Sequence, residues 1–95
     1  MPYVNEVVKK NMAPFIEDLI QFLEHENTVI QPGEFTYIIY RLMLAHREGL
    51  RAMIGDHKYS SLAEILGCVE SAKLEFYRRI VAPFEDLKIT ENGDV

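Results

Sequence analysis

The feature that most constrains this chain is the stretch at residues 60–83, SSLAEILGCVESAKLEFYRRIVAP. It begins with a capping-box pattern, in which Ser61 could accept from the backbone N–H of Glu64 while the Glu64 carboxylate reaches back to the Ser61 N–H. It closes at Pro83, which has no backbone donor and whose ring clashes with a continuing helix. At about 100° per residue, Leu62, Ile65, Leu66, Val69, Ala72, Phe76 and Ile80 fall on one arc, with Glu64, Ser71, Glu75, Arg78 and Arg79 opposite. The spacing predicts one amphipathic helix of about six turns. A helix of that kind must bury its stripe against other helices, so the rest of the chain is read for partners to it.

Two partners are visible. Asn5 is a candidate N-cap for a short helix through EVVKKNM. Pro14 then suits the first position of a new helix over FIEDLIQFLEHEN, with Phe15, Leu19, Phe22 and Leu23 on one stripe. Asn27 and the Pro32-Gly33 pair mark a loop over 27–33. A second main helix follows from Glu34 to Arg47 or a turn beyond, with Phe35, Ile38, Ile39, Leu42 and Ala45 on its core stripe. Gly49 and Gly55 bracket a weaker region read as a frayed turn and loop, and residues 88–95 read as a mobile tail. With no strand pattern, these segments define an all-α protein, a single helical domain over 1–95. It is a small bundle of three main amphipathic helices plus a short N-terminal one. The expected core comprises Phe15, Leu19, Leu23, Phe35, Ile38, Leu42, Leu62, Ile65, Val69, Phe76 and Ile80.

Three helices leave apolar residues uncovered. Ala63, Leu74 and Val81 form a minor line of their own, and Tyr37, Tyr40 and Leu44 form another, which predicts a homo-oligomer. Composition narrows the partners further. A net charge of −5 opposes non-specific nucleic-acid binding, which needs clustered cations. No run approaches the length of a membrane span, and MPYVNEVVKK has no apolar signal core. The lone Cys68 has no partner for an internal disulfide, so a reducing cytoplasm is the expected compartment.

The chemistry-bearing residues fall into two sets. On the second main helix, Tyr37 and Tyr40 interleave with Arg41, Arg47 and Arg51. Phenol rings supply stacking surfaces, and guanidinium forks match phosphate oxygens. The plain alternative is an oligomer interface, where Tyr and Arg are also enriched. On the helix over 60–83, Glu70, Lys73 and Tyr77 lie between two apolar lines, followed by Arg78 and Arg79. Here the plain alternative is a surface ion pair. His25, His46 and His57 share no ligand spacing, so no metal is expected. Cys68 has no histidine close in sequence and reads as an inert thiol. The carboxylate pairs of an all-α, Mg²⁺-dependent nucleotide pyrophosphohydrolase are missing: no ExxE occurs, and the one ExxD, Glu91 to Asp94, is in the tail.

MPYV, FTYIIYRLML, ESAKLEFYRR, APFED and ENGDV together resemble a family of small uncharacterised proteins found mainly in bacteriophages and bacteria. The resemblance implies a phage-encoded protein working in the host cytoplasm by binding something, either a host protein or a nucleotide-derived immune signal. The combined expectation is a non-catalytic, cofactor-free homo-oligomer that sequesters a small nucleotide-like, phosphate-bearing ligand through Tyr37, Tyr40, Arg41, Lys73, Tyr77, Arg78 and Arg79. Two alternatives stand beside it: the pyrophosphohydrolase, and an interaction module that inhibits a host enzyme.

Overall fold

The computed structural model describes residues 4–25, 30–55 and 58–95. The expected lead-in over 1–3 and most of the first expected loop, 26–29, lie outside these residues, as does part of the second, 56–57. Every regular element among the described residues is helical: α1 (Glu6–His25), α2 (Pro32–Ile54), α3 (Tyr59–Phe76), a π-helical turn (Tyr77–Val81) and α4 (Ala82–Asn92). The all-α fold class is therefore as expected, and the helix boundaries are where it departs from expectation.

α1 starts as the sequence implies. The Asn5 side-chain oxygen accepts from the Val8 N–H at 3.0 Å, and Glu6 in the first turn pairs with Lys9 at 3.3 Å. Pro14 does not begin a new helix, however. It lies inside α1, where it deletes the one bond its N–H would have made to the Lys10 carbonyl, and the helix runs through it to His25. The short N-terminal helix and the helix from Pro14 are one element.

α2 begins earlier and ends later than the spacing indicated. Pro32 takes the first turn, where its missing donor costs nothing, and Glu34 reaches back to accept from the Gln31 N–H at 2.8 Å. The Pro-Gly pair is thus a helix start. At the other end the helix continues past Gly49 to Ile54. Gly55 stops it with φ of 93°, donating its N–H to the Arg51 carbonyl at 2.9 Å. That is the left-handed cap glycine adopts without steric cost.

The largest departure concerns the organising stretch itself. Its first turn forms on Lys58, whose carbonyl accepts from the Ser61 and Leu62 N–H groups at 3.0 and 3.2 Å. Ser61 is not a cap: it sits inside α3, buried. Nor does Pro83 end the helix. One turn before it the ladder widens, so that the Ala82 N–H bonds to the Tyr77 carbonyl five residues back. The π turn falls where the ring of Pro83 would meet the Arg79 carbonyl and where its own donor is missing. With that accommodation made, α4 continues to Asn92, and Gly93 (φ 87°) donates to the Ile89 carbonyl at 2.8 Å to close it. Residues 88–92 are helical.

The chain divides into two units, Met1–Leu42 and Met43–Val95. In the first, Leu19, Ile20 and Leu23 of α1 and Ile38 and Ile39 of α2 are half-buried. In the second, the protected side chains are Met43, Leu44, Arg47 and Leu50 on α2, Ser61, Ile65, Val69, Ser71 and Glu75 on α3, Val81 in the π turn and Ala82 at the start of α4. The i, i+4 spacing within each set marks one face of each helix. Among the described residues, Ile65 at 6% exposure is the one fully buried apolar side chain. Full burial of one such side chain is worth about 1.5–3 kcal/mol, against an ordering cost of roughly 1–2 kcal/mol for each residue fixed. Several expected core residues instead face outward: Phe15, Phe35, Leu42, Phe76 and Ile80 are all exposed. Their helical phase is apolar, as read, but among the described residues these side chains are exposed.

Candidate functional site

The seven expected ligand residues divide between the two units. Tyr37, Tyr40 and Arg41 belong to the first and Lys73, Tyr77, Arg78 and Arg79 to the second, so they are described as two sets.

The α2 set rests on i, i+3 and i+4 geometry, which brings all three residues to one side of the helix. Arg41 Nη1 donates to the Tyr37 hydroxyl at 2.9 Å, and the guanidinium carbon lies 5.8 Å from the Tyr37 ring centroid. The ring steadies the cation through its electron-rich face without neutralising it. No carboxylate pairs with Arg41 among the described residues, so the partner that orients its fork is an uncharged phenol. Tyr40 is exposed beside this pair. One turn and a half further on, Arg47 is half-buried, with its Nε shut away from solvent and no acceptor among the described residues. Arg51 pairs loosely with Glu48 at 3.8 Å.

The second set is differently built, because its cations are matched to carboxylates of the same helix. Lys73 pairs with Glu70 at 3.1 Å, the i, i+3 bridge that was the plain alternative for it. Arg78 and Arg79 converge on Glu75: Arg78 Nη2 reaches both carboxylate oxygens at 3.1 and 3.2 Å, and Arg79 Nε donates to one at 2.8 Å. Glu75, read from the sequence as a polar-face residue, is thus the hub of a three-residue cluster. The i+3 and i+4 spacing to two arginines was the signal that could have found it. Tyr77 donates its hydroxyl to Glu85 across the π turn and Pro83. That acceptor, joined by the negative charges of Glu85 and Asp86, raises the Tyr77 pKa above the ordinary 10.0. No sequence rule points to this link, since the two residues are eight apart, about 12 Å of axis in a regular helix.

Other chemistry is sparse. Among the described residues no group of three His, Cys, Asp or Glu could hold a metal ion, and Cys68 is a free, exposed thiol. No described helix is long and apolar enough to cross a membrane. Side chains with binding chemistry and side chains with uncovered apolar area both sit on continuous helices, which places the chain among small all-helical proteins. More narrowly, the whole chain, residues 1–95, matches the model of a domain of unknown function, DUF6899, and belongs to that family. No curated protein matches it, and no solved structure does.

Proposed function

We propose that this chain is a non-catalytic binding protein that takes a small phosphate-bearing, nucleotide-like ligand at the Tyr37–Tyr40–Arg41 face of α2 and works as a homo-oligomer. The observation that carries the reading is the state of Arg41. Its guanidinium is oriented by a phenol and a ring face, and it keeps a full charge that a phosphate oxygen could complete. Tyr37 and Tyr40 offer the flat apolar surfaces a base would stack on. Lys73, Tyr77, Arg78 and Arg79 are second-rank candidates. A phosphate there would compete with Glu70, Glu75 and Glu85, although exposed pairs of this kind are worth only about 0–1 kcal/mol. The resemblance to small phage proteins supports sequestration of a host signal as the purpose, in the host cytoplasm.

Calorimetry against linear and cyclic nucleotides tests the reading. Arg41→Ala should weaken binding by roughly 1.5–3 kcal/mol, the worth of a charge-assisted hydrogen bond, with helicity unchanged. EDTA should leave binding as it was. Turnover of a nucleotide in the presence of Mg²⁺ would favour the pyrophosphohydrolase instead. A second reading, an interaction module that blocks a host enzyme, is favoured by the exposed Phe76, Phe84 and Leu87. It predicts no heat with any nucleotide and a host protein retained stoichiometrically.

A further inference from the structure

How much negative charge the Tyr37–Tyr40–Arg41 face can take depends on the cations within its reach. From Pro32 to Leu42, the part of α2 in the first unit, Arg41 is the one cation and Glu34 the one carboxylate. Residues 1–42 as a whole hold Lys9, Lys10 and Arg41 against Glu6, Glu17, Asp18, Glu24, Glu26 and Glu34, which is 3 − 6 = −3. Lys9 is already matched to Glu6 at 3.3 Å. Further along α2, Arg47 is about 9 Å from Arg41 along the axis and about 120° around it, with its Nε shut away from solvent. Arg51 has Glu48 beside it. The face therefore presents one uncompensated positive charge, in a unit that is negative overall.

Donors are more numerous there than charges. Arg41 Nη1 donates to the Tyr37 oxygen at 2.9 Å. The phenol is the acceptor in that bond, so its own O–H proton stays free to donate. The guanidinium uses one N–H on Tyr37 and keeps others. Tyr37 and Arg41 together thus offer O–H and N–H donors side by side, with a single charge between them. Tyr37 and Tyr40, 56% and 54% exposed and one turn apart, supply ring faces next to these donors.

Among phosphate groups, one class has the matching pattern. In a phosphodiester two non-bridging oxygens share one negative charge, and the other two oxygens carry carbon. A phosphomonoester has three terminal oxygens and a charge of about −1.5 to −2 at neutral pH, and a triphosphate carries more. Every charge beyond the first finds no cation on this face and sits in a field of the wrong sign. We infer that the ligand is a small nucleotide whose phosphate is a diester, closed in a ring or joining two nucleosides, and that free mono- and triphosphates are discriminated against. The inference rests on the ligand reading proposed above and adds the charge state that the site selects.

The test is calorimetry of the full chain without Mg²⁺, using 3′,5′-cyclic AMP, the dinucleotide ApA, AMP and ATP, with their guanine counterparts. Near neutral pH the diesters should bind, and AMP and ATP should be weaker by at least about tenfold. At about pH 5, below the second phosphate pKa of about 6, AMP becomes singly charged and should approach cyclic AMP to within about threefold. Cyclic AMP keeps its charge over that range, so the ratio of the two is free of changes in the protein. Tyr37→Phe keeps the ring and removes the O–H; it should weaken cyclic AMP by at least about fivefold, with helix content unchanged by circular dichroism. A stronger response to the cyclic or to the linear diester supports the assignment in either case and identifies the source of the phosphate. AMP or ATP binding as tightly as the diesters near neutral pH, no gain for AMP at low pH, or indifference to Tyr37→Phe overturns the diester assignment and leaves the ligand reading standing. No heat with any of these compounds overturns both.

Discussion

Phe76→Ala separates two accounts of where stability comes from. Phe76 lies near the middle of the continuous helical run and is on the arc that the apolar spacing assigns to the core, yet it is 61% exposed in the chain. Fully burying a phenylalanine is worth about 1.5–3 kcal/mol, so the portion already covered accounts for roughly 0.5–1 kcal/mol and no cavity forms when the ring is removed. If the rest of the ring is covered by a second copy, about 1–2 kcal/mol more per subunit appears only where the dimer is populated. Thermal unfolding should therefore be recorded over a range of concentrations. At submicromolar protein the variant should melt within about 4–8 °C of the wild type, the shift expected for 1 kcal/mol in a domain of this size. At tens of micromolar the gap should widen by at least as much again. A loss of about 3–5 kcal/mol that does not change with concentration is the signature of a ring packed inside one chain. That result would refute the reasoning.

Three further outcomes are expected. Tyr77 should titrate above the ordinary phenol value, read by absorbance near 295 nm, and Glu85→Gln should bring it back towards 10.0. Because the folded value is the raised one, the link contributes in full below about pH 10 and is lost as pH rises from there through the raised folded value. Gly55→Ala should cost about 1–2 kcal/mol in chemical denaturation, although nothing lies within 4 Å of the added methyl, because the cost is that of a left-handed φ of 93°. Asn5→Ala should cost about 1 kcal/mol through the lost bond to the Val8 N–H, seen as reduced helicity and a lower midpoint.

The apolar periodicity carried the helical class and the approximate place of every main helix, because a 3.6-residue stripe is a local property. It could not say which parts of a stripe are covered, since coverage depends on what else is present. That is why Ile65 and Phe76, on the same arc, end at 6% and 61% exposure. The proline rules failed twice for one reason. Pro14 and Pro83 were read as boundaries from their local cost, and both sit in helices long enough on either side to absorb it. In the candidate site, the Tyr37–Arg41 pair and the Glu70–Lys73 bridge are written in their spacing. The Tyr77–Glu85 link was not legible, because it depends on the π turn between the two residues.

That turn also bears on what lengths of chain the protein can tolerate. A π turn holds one residue more than the α turn it replaces, so removing one residue from 77–81 would leave a helix more regular than the native one. Locally such a shortening is benign, and helix content would register it as an improvement. The α turn that replaces the π turn also makes one revolution, so the helix after the cut would stay close to its former phase. Phe84 and Leu87 would keep their side of the helix relative to Phe76. A deletion outside the π turn has no such outlet, and everything after it would rotate by about 100° about the axis. Tolerance of a one-residue deletion is therefore confined to 77–81 and marks where the wide turn lies.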